Sequence, residues 1–310
     1  MNRAAVAQRT SSHAALTELR APPRLGDYEL LDRVGAGGVG VVYRAVHHRT
    51  GCVVALKTLR YDSDACRKTI SREIELLETH RHPGIIRLEA HSHSDDPPWY
   101  AMELLAGVSA RGFIGERWPE HFQSPSSGRC LVSSIVSSTT EVSFRRHGLT
   151  AVLRIVRELC EPLRYLHERG VVHGDVKPEN IFLCDDGRVV LLDFGAARYG
   201  DEESNADASA CTTFGTWMYM APECRVGAAM DHRADVYALG CVLQELLTGR
   251  PPVLVEPWRR PSATVDSELP QSLPVALRDL VRALTSVDPE ARLSSLANVR
   301  HYLADIHRTT

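Results

Sequence analysis

Three stretches of this chain combine residue types suited to phosphate. The first is Gly35-Ala36-Gly37-Gly38-Val39-Gly40-Val41-Val42. Glycines have no Cβ, so a turn built from them can pass close to a bulky anion with its amides facing the oxygens. Taken alone, the pattern reads equally well as a glycine-rich hairpin. Strand-like residues follow it rather than a helix, which disfavours a dinucleotide-binding fold. The second stretch is Val54-Ala55-Leu56-Lys57, with Lys57 seventeen residues beyond Gly40. An ammonium in an apolar strand needs an anionic partner, and the run that follows offers Glu73 and Glu75. The third is His173-Gly174-Asp175-Val176-Lys177-Pro178-Glu179-Asn180, with Asp193-Phe194-Gly195 beginning thirteen residues past Asn180. Asn180 and Asp193 are oxygen donors that suit Mg²⁺, and Asp175 can orient and deprotonate a hydroxyl. Each piece alone is a polar turn or a snorkelling lysine. In this order, chance is a poor explanation for all of them.

The elements that would position these groups are legible from periodicity. YELLDRV, VGVVYRAV, CVVALKTLR, IIRLEAH and WYAMELL read as five strands separated by glycine or polar turns. Between the third and fourth, Ile70, Ile74 and Leu77 mark a helix over residues 64–80. Helical spacing returns from about Leu149, through Val152, Ile155, Val156, Leu159, Leu163 and Leu166, and stops at Gly170. NIFLC and RVVLLD, joined by Asp185-Asp186-Gly187, predict a hairpin. Beyond residue 220 the chain reads as helical: a buried helix ending at Gly249, a proline-rich stretch over 250–274, and two helices near 275–286 and 294–306. A small sheet-rich lobe and a larger helical lobe, joined near residue 104, leave a cleft between them for a ligand. Residues 1–26 are expected to be a flexible tail. The serine-rich stretch at about 106–148 is expected to be a surface insertion.

Composition limits the alternatives. The 310 residues are 44% hydrophobic and 24% charged, with a net charge of -3, which are ordinary globular values. No broad positive field exists, so nucleic acid is not an expected partner. No stretch approaches the roughly 18 to 20 apolar residues of a membrane span, and the N-terminus has no apolar leader region. These features predict a soluble, cytoplasmic protein. The eight cysteines form no CxxC or zinc-spaced Cys/His cluster, so the thiols are expected to be reduced; among the 14 histidines, His47-His48 and His91-x-His93 are the minor metal-binding alternative, with no second cluster to support them. There are 33 Arg but only three Lys: Lys57, Lys68 and Lys177. Two of the three fall within the phosphate stretches, where a compact ammonium is not replaced by arginine's wide fork.

From about Tyr28 to Ile306 the pattern resembles the eukaryotic-like protein serine/threonine kinases, in their bacterial subgroup. The family fold is α+β and bilobal, with a five-stranded antiparallel sheet and one helix in the front lobe (27–104) and a mostly helical rear lobe (105–306). The resemblance implies ATP and Mg²⁺ as cofactors and protein hydroxyls, including the chain's own, as substrates. It implies that Gly35, Ala36, Gly37, Gly38, Gly40, Val42 and Ala55 border the nucleotide. Lys57, held by Glu73 (ten residues before Pro83), would grip the α- and β-phosphates. Met102 would be the gatekeeper, while the Glu103 carbonyl and Leu105 amide would bind adenine. Asn180 and Asp193 would hold Mg²⁺, Asp175 would accept the hydroxyl proton and Lys177 would stabilise the moving phosphoryl group. Thr216 would position the peptide, Asp235 would be the buried aspartate of the central helix and Arg292 would pair with Glu223 of the Ala221-Pro222-Glu223 triplet.

Gly174 stands where the family usually has an arginine that pairs with an activation-segment phosphate. The activation segment is therefore expected to work without phosphate on Ser209, Thr212 or Thr213. The contrary reading keeps such a phosphate, with Arg198 or Arg225 as its receptor. Two rival functions remain: a small-molecule phosphotransferase of the aminoglycoside or choline kinase kind, and a nucleotide-binding scaffold without turnover. The pattern names no substrate and no oligomeric state.

Overall fold

The computed structural model describes residues 18–118, 148–200, 216–252, 269–293 and 295–309. Its front lobe is a six-stranded antiparallel sheet in the order β1-β2-β3-β4-β6-β5. The strands are β1 (Arg24–Leu25), β2 (Tyr28–Ala36), β3 (Gly40–His47), β4 (Val53–Leu59), β5 (Leu88–Ser92) and β6 (Trp99–Glu103). Alternation along β4 decides what faces the cleft. Val54 and Leu56 join Leu25, Tyr28, Ala45, Trp99 and Ala101 in an outer apolar cluster. Ala55 and Lys57 therefore point to the other face. Val42 is registered against Lys57 and Met102 against Ala55, so all four share that face.

Helix α1 (Asp64–Thr79) packs behind the sheet, capped by the Ser63 hydroxyl, which accepts the Cys66 N–H at 3.2 Å. The rear lobe is built around α3 (Gly148–His167) and α5 (His232–Thr248). Helix α5 is hydrophobic nearly all round and is buried accordingly. It ends at Gly249, whose φ of 70° is the left-handed stop expected for glycine. Helices α6 (Val275–Leu284) and α7 (Leu296–Thr309) pack against α5 and α3 respectively. After the short strand β8 (Val171–Val172), the expected hairpin forms as β9 (Ile181–Cys184) and β10 (Val189–Leu191).

The structure departs from the sequence reading in two places. The sheet has a sixth strand, β1, inside what was read as a free tail. Arg24 pairs with Glu29 and Leu25 with Tyr28, and Gly26 turns the chain at φ 53° beneath the Trp99 ring. Burial of Leu25 holds this two-residue strand in place. The serine-rich insertion also begins later than about residue 106. Gly107–Ser109 forms β7, which adds to the β9–β10 hairpin, and Ala110–Arg117 forms helix α2. Ala110, Phe113 and Ile114 are buried in the main core, which secures a helix that Gly112 and Gly115 weaken. Residues 119–147 lie outside the described residues, as do Ser209, Thr212 and Thr213 and most of the 250–274 stretch. Among the described residues, no helix is long and apolar enough to cross a membrane.

Candidate active site

Lys57 is the bridge between the lobes. Its ammonium donates to both carboxylate oxygens of Glu73 at 2.8 Å and to Asp193 Oδ1 at 2.9 Å. Of the two glutamates offered by α1, Glu73 is fully buried and Glu75 is exposed. Glu73 also accepts the Phe194 N–H at 3.0 Å, so one carboxylate ties α1 to both β4 and the Asp193-Phe194-Gly195 turn. Burial alone would lower the Lys57 pKa, but Asp193 and Glu73 hold it well above the usual amine range. Burial likewise works against the Asp193 carboxylate, and Lys57 holds it well below the usual range. Glu73, enclosed more completely, is pushed up by burial against the pull of Lys57. Asp193 has φ 56°, a left-handed conformation uncommon for a residue with a side chain. Phe194 is 1% exposed and packs edge-on to His173, which anchors the turn.

The glycine-rich turn joins β2 to β3, with the Gly37 N–H donating to the Gly40 carbonyl at 2.8 Å. The glycines there serve different ends. A Cβ on Gly35 would meet nothing within 4 Å, and one on Gly37 only the Gly40 carbonyl at 4.0 Å. The protein's own packing does not demand glycine at those two positions, and the vacant space lies where a phosphate chain would be cradled. At Gly40 a Cβ would sit 2.9 Å from Lys57 Cε and 3.0 Å from the Thr58 carbonyl. Gly40 is therefore needed for Lys57 itself. Gly40→Ala is expected to displace the ammonium from Glu73 and lower kcat/KM for ATP by about tenfold or more, as small misplacements of a positioning group do. Gly35→Ala should cost less, and steady-state kinetics on the two variants will rank them.

The rear-lobe half of the site is a loop leading into the short helix Pro178–Asn180. Asp175 Oδ2 accepts from Lys177 Nζ at 2.6 Å and from Asn180 Nδ2 at 2.9 Å, and the same amide donates to the Asp175 carbonyl at 2.9 Å. Oδ1 is buried and has no hydrogen-bond partner. Burial pushes the Asp175 pKa up, with Lys177 opposing and the Asp193 charge adding. Beneath the loop, Asp235 of α5 accepts the His173 N–H at 2.9 Å, the Gly174 N–H at 2.8 Å and a bond to His167 Nε2 at 2.8 Å. Although fully buried, it is held below the usual range by His167 and the Gly174 amide. Gly174 itself has φ 75°, and a Cβ there would lie 3.0 Å from both the Ala196 carbonyl and Met230 Sδ.

The other expected residues lie along the connection between the lobes or away from the cleft. Met102 and Leu105 are half-buried along the connection between the lobes. The Glu103 carboxylate is engaged by the Arg87 N–H at 3.2 Å and by Arg188 Nη2 at 3.2 Å. Thr216 opens the short helix Thr216–Met218. Arg292 forms a two-pronged pair with Glu223 of α4 (Pro222–Arg225) at 2.7 and 3.0 Å, far along the chain from the reacting groups.

One cluster had no counterpart in the sequence reading. Arg111 of α2 donates to Glu179 at 2.7 Å, to the Tyr219 hydroxyl at 2.6 Å and to the buried Glu245 of α5, which Tyr219 also engages. It ties the loop carrying Asp175 to two helices and to the segment after Thr216. Its partners are 68 to 134 residues away in sequence, so no local spacing announces it.

The donor set suits a metal-bound triphosphate. Asp193 is a fully ionised carboxylate. The Asn180 amide, with its nitrogen committed to Asp175, has its oxygen left for a cation. The glycine turn offers open space opposite an ammonium. Among known proteins, the protein kinase domain family matches residues 28–303. The chain belongs to that family. It is 32% identical over 269 residues to the serine/threonine-protein kinase PknF of Mycobacterium tuberculosis, covering 84% of this chain and 50% of that protein. It is 30% identical over 310 residues to the serine/threonine-protein kinase PknB of Mycolicibacterium smegmatis, covering 92% of this chain and 44% of that one. An Aurora kinase of Schizosaccharomyces pombe is 31% identical over 286 residues, covering 89% and 71% respectively. The chain thus spans about half the length of the bacterial relatives it matches. The bilobal α+β kinase fold expected from the motifs is the fold observed.

Proposed function

We propose that this kinase domain transfers the γ-phosphoryl group of Mg²⁺-bound ATP to serine or threonine hydroxyls of proteins, its own included. Asp175 carries the reading. One of its oxygens is fixed by Lys177 and Asn180, and the other is buried and unpartnered. Such an oxygen is costly unless a donor arrives, and a substrate hydroxyl is the donor that fits. Asp175 then orients the hydroxyl and accepts its proton, while Lys177, 2.6 Å from Asp175, supplies positive charge where the phosphoryl group moves. Lys57, set by Glu73, holds the α- and β-phosphates. The glycine-turn amides cover the phosphate chain between Val42 and Ala55. Met102, the Glu103 carbonyl and the Leu105 amide receive adenine. Asp193 and Asn180 hold Mg²⁺, which neutralises charge on the phosphate oxygens when bound. With ATP as the donor, the reaction belongs in the cytoplasm.

The scaffold reading is disfavoured because Lys57, Asp175, Asn180 and Asp193 are all present, Lys57 bonded to Asp193 and Asn180 to Asp175. The small-molecule reading is disfavoured by the protein kinase domain match over residues 28–303, and the Glu223–Arg292 pair braces the segment following Thr216. Incubation with labelled Mg·ATP, a mixed protein extract, kanamycin and choline separates the three. The expected result is labelled protein, with phosphoserine and phosphothreonine after acid hydrolysis, and none of it from Asp193→Ala. Label in the small molecules alone, or ATP binding with no transfer, would overturn the proposal.

A further inference from the structure

The glycine-rich turn is held lightly. A single hydrogen bond spans it, from the Gly37 N–H to the Gly40 carbonyl. The space beside Gly35 and Gly37 is open. A turn of this kind has many conformations, and a nucleotide that fixes one of them loses binding energy to ordering. A brace that limits the turn beforehand therefore raises affinity without touching the nucleotide.

Such a brace lies outside the cleft. Arg60 follows β4 and is placed by its own backbone: its N–H donates to the Val39 carbonyl at 2.9 Å. Its guanidinium Nη1 donates to the Gly37 carbonyl, at the tip of the turn, at 3.2 Å. The guanidinium also lies over the Tyr61 ring at 5.0 Å. Arginine is long and loses much rotamer freedom when held, so something must keep it in place. Glu18 does so. Its carboxylate is 3.6 Å from Arg60 Nε and 3.2 Å from Arg33 Nη1, and that Nε is otherwise a buried donor without a hydrogen bond. Glu18 is itself fixed by backbone. It bridges to Tyr61, and the next residue, Leu19, donates its N–H to the Arg60 carbonyl at 2.8 Å. The Leu19 side chain packs on the core, as do those of Val39 and Tyr61.

We propose that Glu18 and Arg60 are positioning residues for the nucleotide. The segment preceding the sheet clasps Arg60, and Arg60 holds the phosphate turn by the Gly37 carbonyl. The inference rests on ATP binding under that turn. The charges facing the clasp are Arg33, Arg60 and Glu18. Their simple field predicts the opposite of the clasp, since removing a negative charge next to a triphosphate site should tighten ATP binding.

That opposition makes Glu18→Ala the deciding variant. In the full chain it is expected to raise KM for ATP about threefold, the size an exposed ion pair supports, with kcat unchanged. Amide hydrogen exchange at residues 37–40, measured without nucleotide, should speed up in the same variant. Arg60→Met should do both, and more strongly. If Glu18→Ala leaves KM unchanged or lowers it while the unaltered protein turns over ATP, the clasp is refuted and the function stands. If the unaltered protein binds no ATP, both readings fail. The exchange measurement needs no activity, and unchanged exchange at Gly37 would refute the clasp by itself.

Discussion

Asp175→Asn is expected to cut kcat by about 10²- to 10⁴-fold, the range of general acid–base contributions, with ATP affinity close to that of the unaltered protein. The substitution keeps the shape and the contacts that asparagine can reproduce, and it removes proton acceptance, which an amide cannot supply. It also leaves Lys177 without the carboxylate that holds it at 2.6 Å, so positioning and proton transfer fail together. ATP affinity should survive because Lys57, Glu73 and the glycine turn do not depend on Asp175. The pH dependence gives a second reading of the same residue. Burial and the Asp193 charge push the Asp175 pKa up, so its base form is lost as pH falls through a value above the ordinary carboxylate range. The acid limb of kcat should therefore lie higher than an unperturbed aspartate would place it. Single-turnover kinetics across pH, together with an ATP titration, check both points. A loss smaller than tenfold would remove Asp175 from the role given to it.

Arg292→Met is expected to destabilise the fold by about 3–5 kcal/mol, the usual cost of removing one partner from a buried pair. The Arg292 side chain is 0% exposed and its partner Glu223 only 17%. The guanidinium also satisfies the Ser286 and Arg233 carbonyls at 2.8 to 3.0 Å. Methionine fills much of the same space but leaves one carboxylate and two carbonyls without their donor. Replacing both partners, as Glu223→Gln with Arg292→Met, should recover part of the loss, because the stranded charge is the larger cost. Urea unfolding of the single and double variants measures this. A single variant within 1 kcal/mol of the parent would contradict it. The reacting groups are not touched, so activity below the unfolding transition should fall much less than stability.

The sequence conveyed unequal amounts about these parts, for physical reasons. Lys57, Asp175, Asn180 and Asp193 were legible because phosphate and metal chemistry demands particular side chains at short, ordered spacings. Strands β2 to β6 were legible as apolar runs bounded by glycine or polar turns, the longest of them nine residues. Glu73 could have been separated from Glu75 by the same logic. It falls three residues after Ile70 and four before Leu77, on the apolar stripe, whereas Glu75 does not. Strand β1 could not be found that way, since two residues carry no period. Helix α2 was hidden by its two glycines and by serine-rich sequence beyond it, and its stability comes from burying Phe113 and Ile114. The Arg111 cluster and the left-handed Asp193 depend on contacts that close only in three dimensions.

Asp235 grips its loop through peptide hydrogens, those of residues 173 and 174, and not through any side chain at position 174. A grip of that kind asks position 174 for a peptide N–H alone, and glycine supplies it at φ 75°, where a Cβ would press on the Ala196 carbonyl and Met230. The loop that carries Asp175 is therefore held in place from below without an arginine at position 174.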